Sequence, residues 1–186
     1  MILKASNKNE EADFVYDKLL KERFVFLNGE VNQTSAINVI QELIYLDKKN
    51  KKDINLIINS EGGFCSDGFA IISTIECLKS KVNTIGMGKC ESMAALILCC
   101  GTGHRLALPN TRILIHSIQS GYEGSFNDNK IYWKEHSKIQ EMMVEILSRK
   151  CKKDKKIIEK DIERDFFLSE EEACEYGLID GIMLKI

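Results

Sequence analysis

Residues 54–87 read INLIINSEGGFCSDGFAIISTIECLKSKVNTIGM, and this stretch decides the fold class. Ile54 to Ile58 is a short apolar run that predicts a strand. Gly62-Gly63 punctuates it, Ser66 to Lys79 has helical period, and Val82 to Met87 predicts a second strand. A strand, a glycine turn, a helix and another strand make one βαβ unit. The pattern extends in both directions. Toward the N-terminus, Ala36 to Leu46 is helical in period, and Phe24 to Leu27 predicts a strand ending at Gly29. Before them, Ala12, Val15, Tyr16, Leu19 and Leu20 share one helical face. Toward the C-terminus a helix is predicted from about Glu91 to Cys100, then two strands across Arg105 to His116, broken at Pro109-Asn110. Strands alternating with helices predict an α/β domain with a largely parallel sheet.

The last third changes character. Gln119 to Ser125 is glycine-bearing and extended. Asn127 to Lys152 predicts one long helix with Ile131, Ile139, Met142, Met143, Ile146 and Leu147 as its apolar positions. Such a helix would span ~39 Å, more than a domain of this size needs. It predicts a subunit interface, with a core helix at the domain edge as the alternative.

Composition bounds the function. The chain has 186 residues, 44% hydrophobic and 29% charged, enough for one soluble domain with a real core. One proline and no low-complexity tract argue for a single domain over 1–186. Lysine plus arginine number 26 against 28 acids, a net charge of −2, so neither nucleic acid nor an anionic membrane is an expected partner. The seven cysteines (Cys65, Cys77, Cys90, Cys99, Cys100, Cys151 and Cys174) show neither CxxC nor Cys/His ligand spacing. They predict no disulfide framework and no metal site, but small buried hydrophobes in a reducing compartment. The opening residues do not read as a signal peptide, and the longest apolar run, Ala94 to Cys100, is far short of a membrane span. A cytoplasmic location is expected, or an organelle stroma or matrix if a transit segment is removed.

Two glycine-bearing strand ends invite a chemical reading. In Asn59-Ser60-Glu61-Gly62-Gly63, paired glycines let the backbone turn with free N–H groups, as an oxyanion requires, although Gly-Gly there is more often only a turn. In Gly88-Lys89-Cys90-Glu91-Ser92-Met93-Ala94, Ser92 falls in the first turn of an apolar helix. There it is either a nucleophile or, more commonly, a helix cap. His116 closes the strand Ile113-Leu114-Ile115, as a base beside a site or as a satisfied sheet-edge histidine. Asp165 precedes Phe166-Phe167 and either orients an imidazole, caps, or pairs with Arg164. His104 in a polar turn and His136 on the long helix have no surroundings that suggest catalysis.

Taken together, these residues resemble the Clp protease proteolytic subunit, ClpP. The likeness runs from YDKLLKERFVFLNGEV at Tyr16 through INSEGG at Ile58 and GKCESMAA at Gly88. It continues through LPNTRILIH at Leu108, SGYEGSFND at Ser120 and ERDFFLSEEEACEYGLID at Glu163, covering nearly the whole chain. The resemblance implies a serine endopeptidase with Ser92 as nucleophile, His116 as general base and Asp165 as its orienter. It implies an oxyanion hole from the Gly63 and Met93 N–H groups. The fold implied is a ClpP/crotonase-like spiral of βαβ-type units. Residues 1–15 would be an axial segment and about 119–152 a protruding handle region. Two stacked heptamers, with Arg164 at the ring–ring contact, would enclose unfolded polypeptide fed by an AAA+ unfoldase. No cofactor is implied, and no P-loop occurs.

The departures are local. Glu61 stands where the family usually has proline, and Ser117-Ile118 where a proline commonly follows the histidine. Asn55, Ile57 and Cys77 stand where aromatics commonly line the cleft that receives the unfoldase's hydrophobic loop, which predicts weak docking. Two other functions share much of the pattern. A non-catalytic ring subunit would be expected to lack a triad residue. A crotonase-type acyl-CoA enzyme would have no need of the Ser92, His116 and Asp165 set. A signal-peptide peptidase would need a membrane segment.

Overall fold

The computed structural model describes the backbone of residues 8–121 and 123–185, with side chains from Phe14 onward. The opening α1 (Lys8–Lys21) is followed by β1 (Phe24–Asn28), α2 (Gln33–Lys49), β2 (Ile54–Ser60), α3 (Cys65–Cys77) and β3 (Val82–Glu91). Then come α4 (Met93–Cys99), β4 (Arg105–Ala107), β5 (Arg112–Ile115) and the long α5 (Phe126–Cys151). The chain ends with α6 (Lys155–Asp161), β6 (Phe166–Leu168), α7 (Glu170–Tyr176) and β7 (Gly181–Ile182). Residues 8–15 of the expected axial segment are thus helical, and its first seven lie outside the described residues.

The sheet runs β1-β2-β3-β4-β7, each neighbouring pair parallel. β3 serves two partners. Its Thr84–Gly86 half pairs with β4, and its Lys89–Glu91 end pairs with β5, which carries β6 antiparallel. The switch happens at a bulge: β2 advances from Ile58 to Ser60 while β3 advances from Gly86 to Cys90. Gly88, at φ +73, makes that bend. The core lies between this sheet and α2, α3 and α4. Leu43, Leu46, Leu56, Ile58, Ile71, Ile75 and Leu96–Leu98 are fully buried there. Each such side chain contributes about 2 kcal/mol of transfer free energy.

α2 extends three residues beyond the expected Ala36–Leu46 at each end and β2 two residues beyond Ile58, and three further boundaries differ for a local reason. α3 ends at Cys77 rather than Lys79 because the Asp47 carboxylate accepts the N–H groups of Lys79 (3.1 Å) and Ser80 (2.7 Å). β3 continues to Glu91 because the Gly88 bulge re-registers it. α4 begins only at Met93, since Ser92 has φ 56, which no helix allows. The elements after Cys151 are too short for a periodic signature. Caps define them instead: Asp154 accepts the Lys156 N–H, and Ser169 with Glu172 forms a capping box.

The expected long helix is present. Met143, Val144, Leu147 and Cys151 bury its last turns, while Phe126, Ile131 and Trp133 are each about 70% exposed along its first turns. Cys90, Cys99, Cys100 and Cys151 are buried as expected; Cys65 and Cys174 are half-buried, and Cys77 is exposed.

A polar clamp fastens the end of the domain opposite the bulge. The buried Arg23 guanidinium donates to the carbonyls of Leu46, Lys52 and Asp53. Asp47, one residue on from Leu46, holds the α3–β3 turn and pairs with Lys51 at 2.8 Å. Lys51 and the Ser80 N–H hold the Asp47 carboxyl well below the usual carboxylate range, against the effect of its burial. A depressed folded pKa contributes stability above the ordinary carboxylate value of about 4 and loses it as pH falls below that value. Asp47→Ala is expected to cost about 2–3 kcal/mol at pH 7 in urea unfolding, and markedly less at pH 3, where the wild type has lost part of the same contribution.

Candidate active site

The centre of the site is the junction of β3 and α4. Ser92 takes φ 56, ψ −122, a backbone conformation costly for a residue with a Cβ. Its N–H is held by the Leu114 carbonyl at 2.8 Å, and its own carbonyl starts α4 by accepting from Ala95 and Leu96. Although it occupies the N-cap position, its side chain makes no cap hydrogen bond. The common reading of a serine at a helix start, a cap, is therefore not the role it plays. Its hydroxyl is left half-exposed at the sharp turn.

Against this turn lies the loop after β2. Gly62, at φ +89, comes so close that a Cβ there would stand 2.8 Å from Ser92 Cβ and 2.6 Å from the Glu91 carbonyl oxygen. A Cβ on Gly63 would stand 2.2 Å from the Val31 oxygen. Only glycine fits either place. The loop is held from three sides: the buried Ser60 hydroxyl accepts the Gly62 N–H, the Val31 N–H donates to the Gly62 carbonyl, and the Phe64 N–H donates to Val31. The Gly63 N–H takes no part in that bridge. The Met93 N–H heads α4, where no intrahelical carbonyl is available. Among the described residues neither N–H has a hydrogen-bond acceptor, and Gly62, just before Gly63, packs against Ser92 Cβ and the Met93 nitrogen.

Glu61 pairs with Lys89 at 3.1 Å, both about half-exposed. Its own backbone N–H and the Lys89 ammonium hold its carboxyl below the usual range. This ion pair ties the loop to the β3 bulge, and a proline at position 61 would make no such tie.

The strand ends bring the other two candidates alongside. β5 pairs Leu114 with Glu91, one residue before Ser92, and Ile115 with Phe166, one residue after Asp165. Ser92, His116 and Asp165 therefore occupy neighbouring ends of β3, β5 and β6. Their hydrogen bonds are less complete than their placement. His116 Nδ1 lies 2.6 Å from the Ser117 carbonyl oxygen, which requires the proton on Nδ1 and leaves Nε2 as an acceptor. Asp165 is exposed and forms no ion pair or hydrogen bond among the described residues, with Arg164 or with His116. Arg164 is likewise exposed.

A cleft of about 440 Å³ opens from Gly63, lined by Glu30, Phe64, Cys65, Ile118, His136 and Ile139. Burial pushes the Cys65 thiol pKa up, which keeps it protonated. In the sequence Cys65, Ile118, His136 and Ile139 were noted for other reasons, and none of the six was expected to line a cleft. The one usable signal was His136 and Ile139 at i, i+3, sharing a face of α5. Among the described residues, no three His, Cys, Asp or Glu side chains are grouped to hold a metal ion.

The family model for Clp protease matches residues 7–185. The chain belongs to the Clp protease family. The mixed α/β architecture is that of the ClpP/crotonase-like fold, and the family is one of serine peptidases that generally assembles into rings with Clp ATPases.

The Gly62–Ser92 contact yields a direct test. Gly62→Ala is expected to lose at least about 2 kcal/mol in urea unfolding, because the added methyl must push β3 and the loop apart. Gly121→Ala, which meets nothing within 4 Å, should change stability by less than about 0.5 kcal/mol.

Proposed function

We propose that this chain is the proteolytic subunit of a Clp-type protease and cleaves unfolded polypeptides as a serine endopeptidase. The observation that carries the reading is Ser92: a serine at positive φ whose hydroxyl makes no cap bond, packed against the Gly62-Gly63 loop. In the proposed reaction Ser92 Oγ attacks the peptide carbonyl carbon while His116 Nε2 takes its proton. The carbonyl oxygen becomes an oxyanion held by the Gly63 and Met93 N–H groups. Collapse breaks the C–N bond, and the imidazolium returns the proton to the leaving amine. Water, deprotonated by the same imidazole, then hydrolyses the acyl-serine. Asp165 is the proposed orienter, meeting Nδ1 once the imidazole leaves the Ser117 carbonyl. Until then that carbonyl holds the same tautomer.

The exposed Phe126, Ile131 and Trp133 on α5 support association through that helix. By likeness to the family, the proposed assembly is two stacked heptamers, with Arg164 at the ring–ring contact and an AAA+ unfoldase as feeder. A second reading, a ring subunit without activity of its own, draws on the His116–Ser117 bond and the unbonded Asp165.

Ser92→Ala distinguishes them. Wild type should hydrolyse a fluorogenic peptide and be labelled by a fluorophosphonate. Ser92→Ala should lose both, at least 10³-fold in kcat/KM, while light scattering gives the same mass far above 21.2 kDa for each. Unlabelled wild type would favour the inactive subunit, and a monomer at micromolar concentration would refute the ring.

Docking of the unfoldase is proposed to be weak. Asn55 accepts a hydrogen bond from Asn83 Nδ2 at 3.0 Å, Ile57 is buried, and Cys77 is exposed, so this wall presents amide and thiol groups in place of aromatic rings. A hydrophobic loop peptide should bind wild type more weakly than Asn55→Tyr in a fluorescence titration. Equal, tight binding to both would refute this.

A further inference from the structure

The cleft beside Gly63 has an apolar wall of Phe64, Ile118 and Ile139, a neutral polar side of Ser66, Gln119 and Ser120, and one carboxylate, Glu30, that no cation among the described residues neutralises. We propose that Glu30 makes this cleft select a basic side chain, lysine or arginine, next to the scissile bond. The inference rests on the peptidase reading above. If the Gly63 N–H holds the oxyanion, a cleft that begins at Gly63 adjoins the reacting carbonyl, and the substrate's neighbouring side chain enters it. Phe64 from the loop, Ile118 from the segment after His116, and Ile139 from α5 supply apolar surface for a long methylene stem. About 440 Å³ is ample for a lysine or arginine side chain.

Charge then decides what the far end should be. Two carboxylates flank the loop. Glu61 is neutralised by Lys89 at 3.1 Å. Glu30 has only the neutral Asn32 amide, at 3.2 Å, and no cation among the described residues. The cleft's other ionisable side chains are Cys65 and His136, and the Cys65 thiol is kept protonated by burial. The Glu30 backbone is fixed at the cleft's edge, and its exposed carboxylate accepts from the Asn32 amide. Gly29 before it, at φ +73, donates its N–H to Asn59. Its own carbonyl accepts the Ser35 hydroxyl at 2.8 Å, and Val31 after it is bridged to the Gly62–Phe64 loop. An apolar chain with a cationic tip satisfies both the walls and this carboxylate. An apolar side chain satisfies only the walls, and an acidic one is repelled.

The test compares two fluorogenic peptides that differ only in lysine or norleucine before the cleaved bond. For the assembled wild-type protein, the lysine peptide should lead by about fivefold in kcat/KM at 50 mM salt. That lead should shrink at 0.5 M salt, as expected for a half-solvated charge pair. In Glu30→Gln the ratio should fall to about one, and in Glu30→Lys an otherwise identical glutamate peptide should overtake lysine. Should either variant fail to assemble, the salt dependence of the wild-type ratio decides. The relative labelling rates of lysyl and norleucyl peptide phosphonates read the same preference without turnover. A wild-type ratio at or below one, a ratio unmoved by salt, or a ratio unchanged in Glu30→Gln would overturn the proposal while leaving the peptidase reading intact. Neither turnover nor labelling with any probe would overturn that reading and this preference with it.

Discussion

Gly62 and Ser92 touch where two loops from adjacent parallel strands have to pass, and the rest of the site follows from that contact. A Cβ on Gly62 would stand 2.8 Å from Ser92 Cβ, so the β2–α3 loop reaches the β3–α4 turn only because one partner lacks a side chain. The closeness brings the Gly62-Gly63 turn up to Ser92 Cβ and the Met93 nitrogen. It also requires Ser92 to leave the strand at positive φ, a strain of about 1–3 kcal/mol held in place by β3–β5 pairing on one side and the buried α4 on the other. An apolar helix from Met93 to Cys99 with every residue buried is a strong anchor for a strained turn.

Much of this was legible as pattern. The βαβ unit of residues 54–87 was visible because a short apolar run, a glycine pair, a helical period and a second apolar run follow one another. What could not be read were features set by contacts distant in sequence. Nothing near Lys79 says that α3 stops two residues early; the cause is the Asp47 carboxylate, 32 positions away, taking its N–H. Nothing in Cys90-Glu91-Ser92 distinguishes a capping serine from one at φ 56; the cause is the strand pairing that carries β3 through Glu91. The Gly88 bulge is half-legible, since Gly86 and Gly88 break the apolar run, but the change of partner from β4 to β5 is tertiary. In the site itself, Ser92 and Gly63 lay in recognisable motifs, whereas Glu30 looked like any surface acid until the Val31–Gly63 bridge placed it beside the loop.

The charges around the loop are arranged with some economy. A proline at position 61 would stiffen the turn through its ring; here the Glu61–Lys89 pair crosses from the loop to the bulge instead. Such a half-exposed pair is worth only a few tenths of a kcal/mol to about 1 kcal/mol, so the glycine contacts and the buried Ser60 hydroxyl are the main restraints. In the proposed reaction the pair's larger effect is electrostatic, because it cancels the charge of a carboxylate on the loop that carries Gly63.

The imidazole's position depends on elements well outside the Ser92 turn. Directly after His116, the Ser117 N–H donates to the Ile162 carbonyl at the end of α6, and the Ile118 N–H donates to Gln140 on α5. The Ser117 carbonyl, held between those two anchors, is the group that His116 Nδ1 bonds. Two consecutive amides therefore tie the segment carrying the base to two different helices, one of which exposes Phe126, Ile131 and Trp133 along its free end. The Ser92 N–H, by contrast, is bonded to Leu114 within the sheet, two residues upstream of the histidine. Ser92 is thus held through the sheet, whereas His116, which leaves the sheet at the end of β5, is followed by two residues tied to α6 and α5.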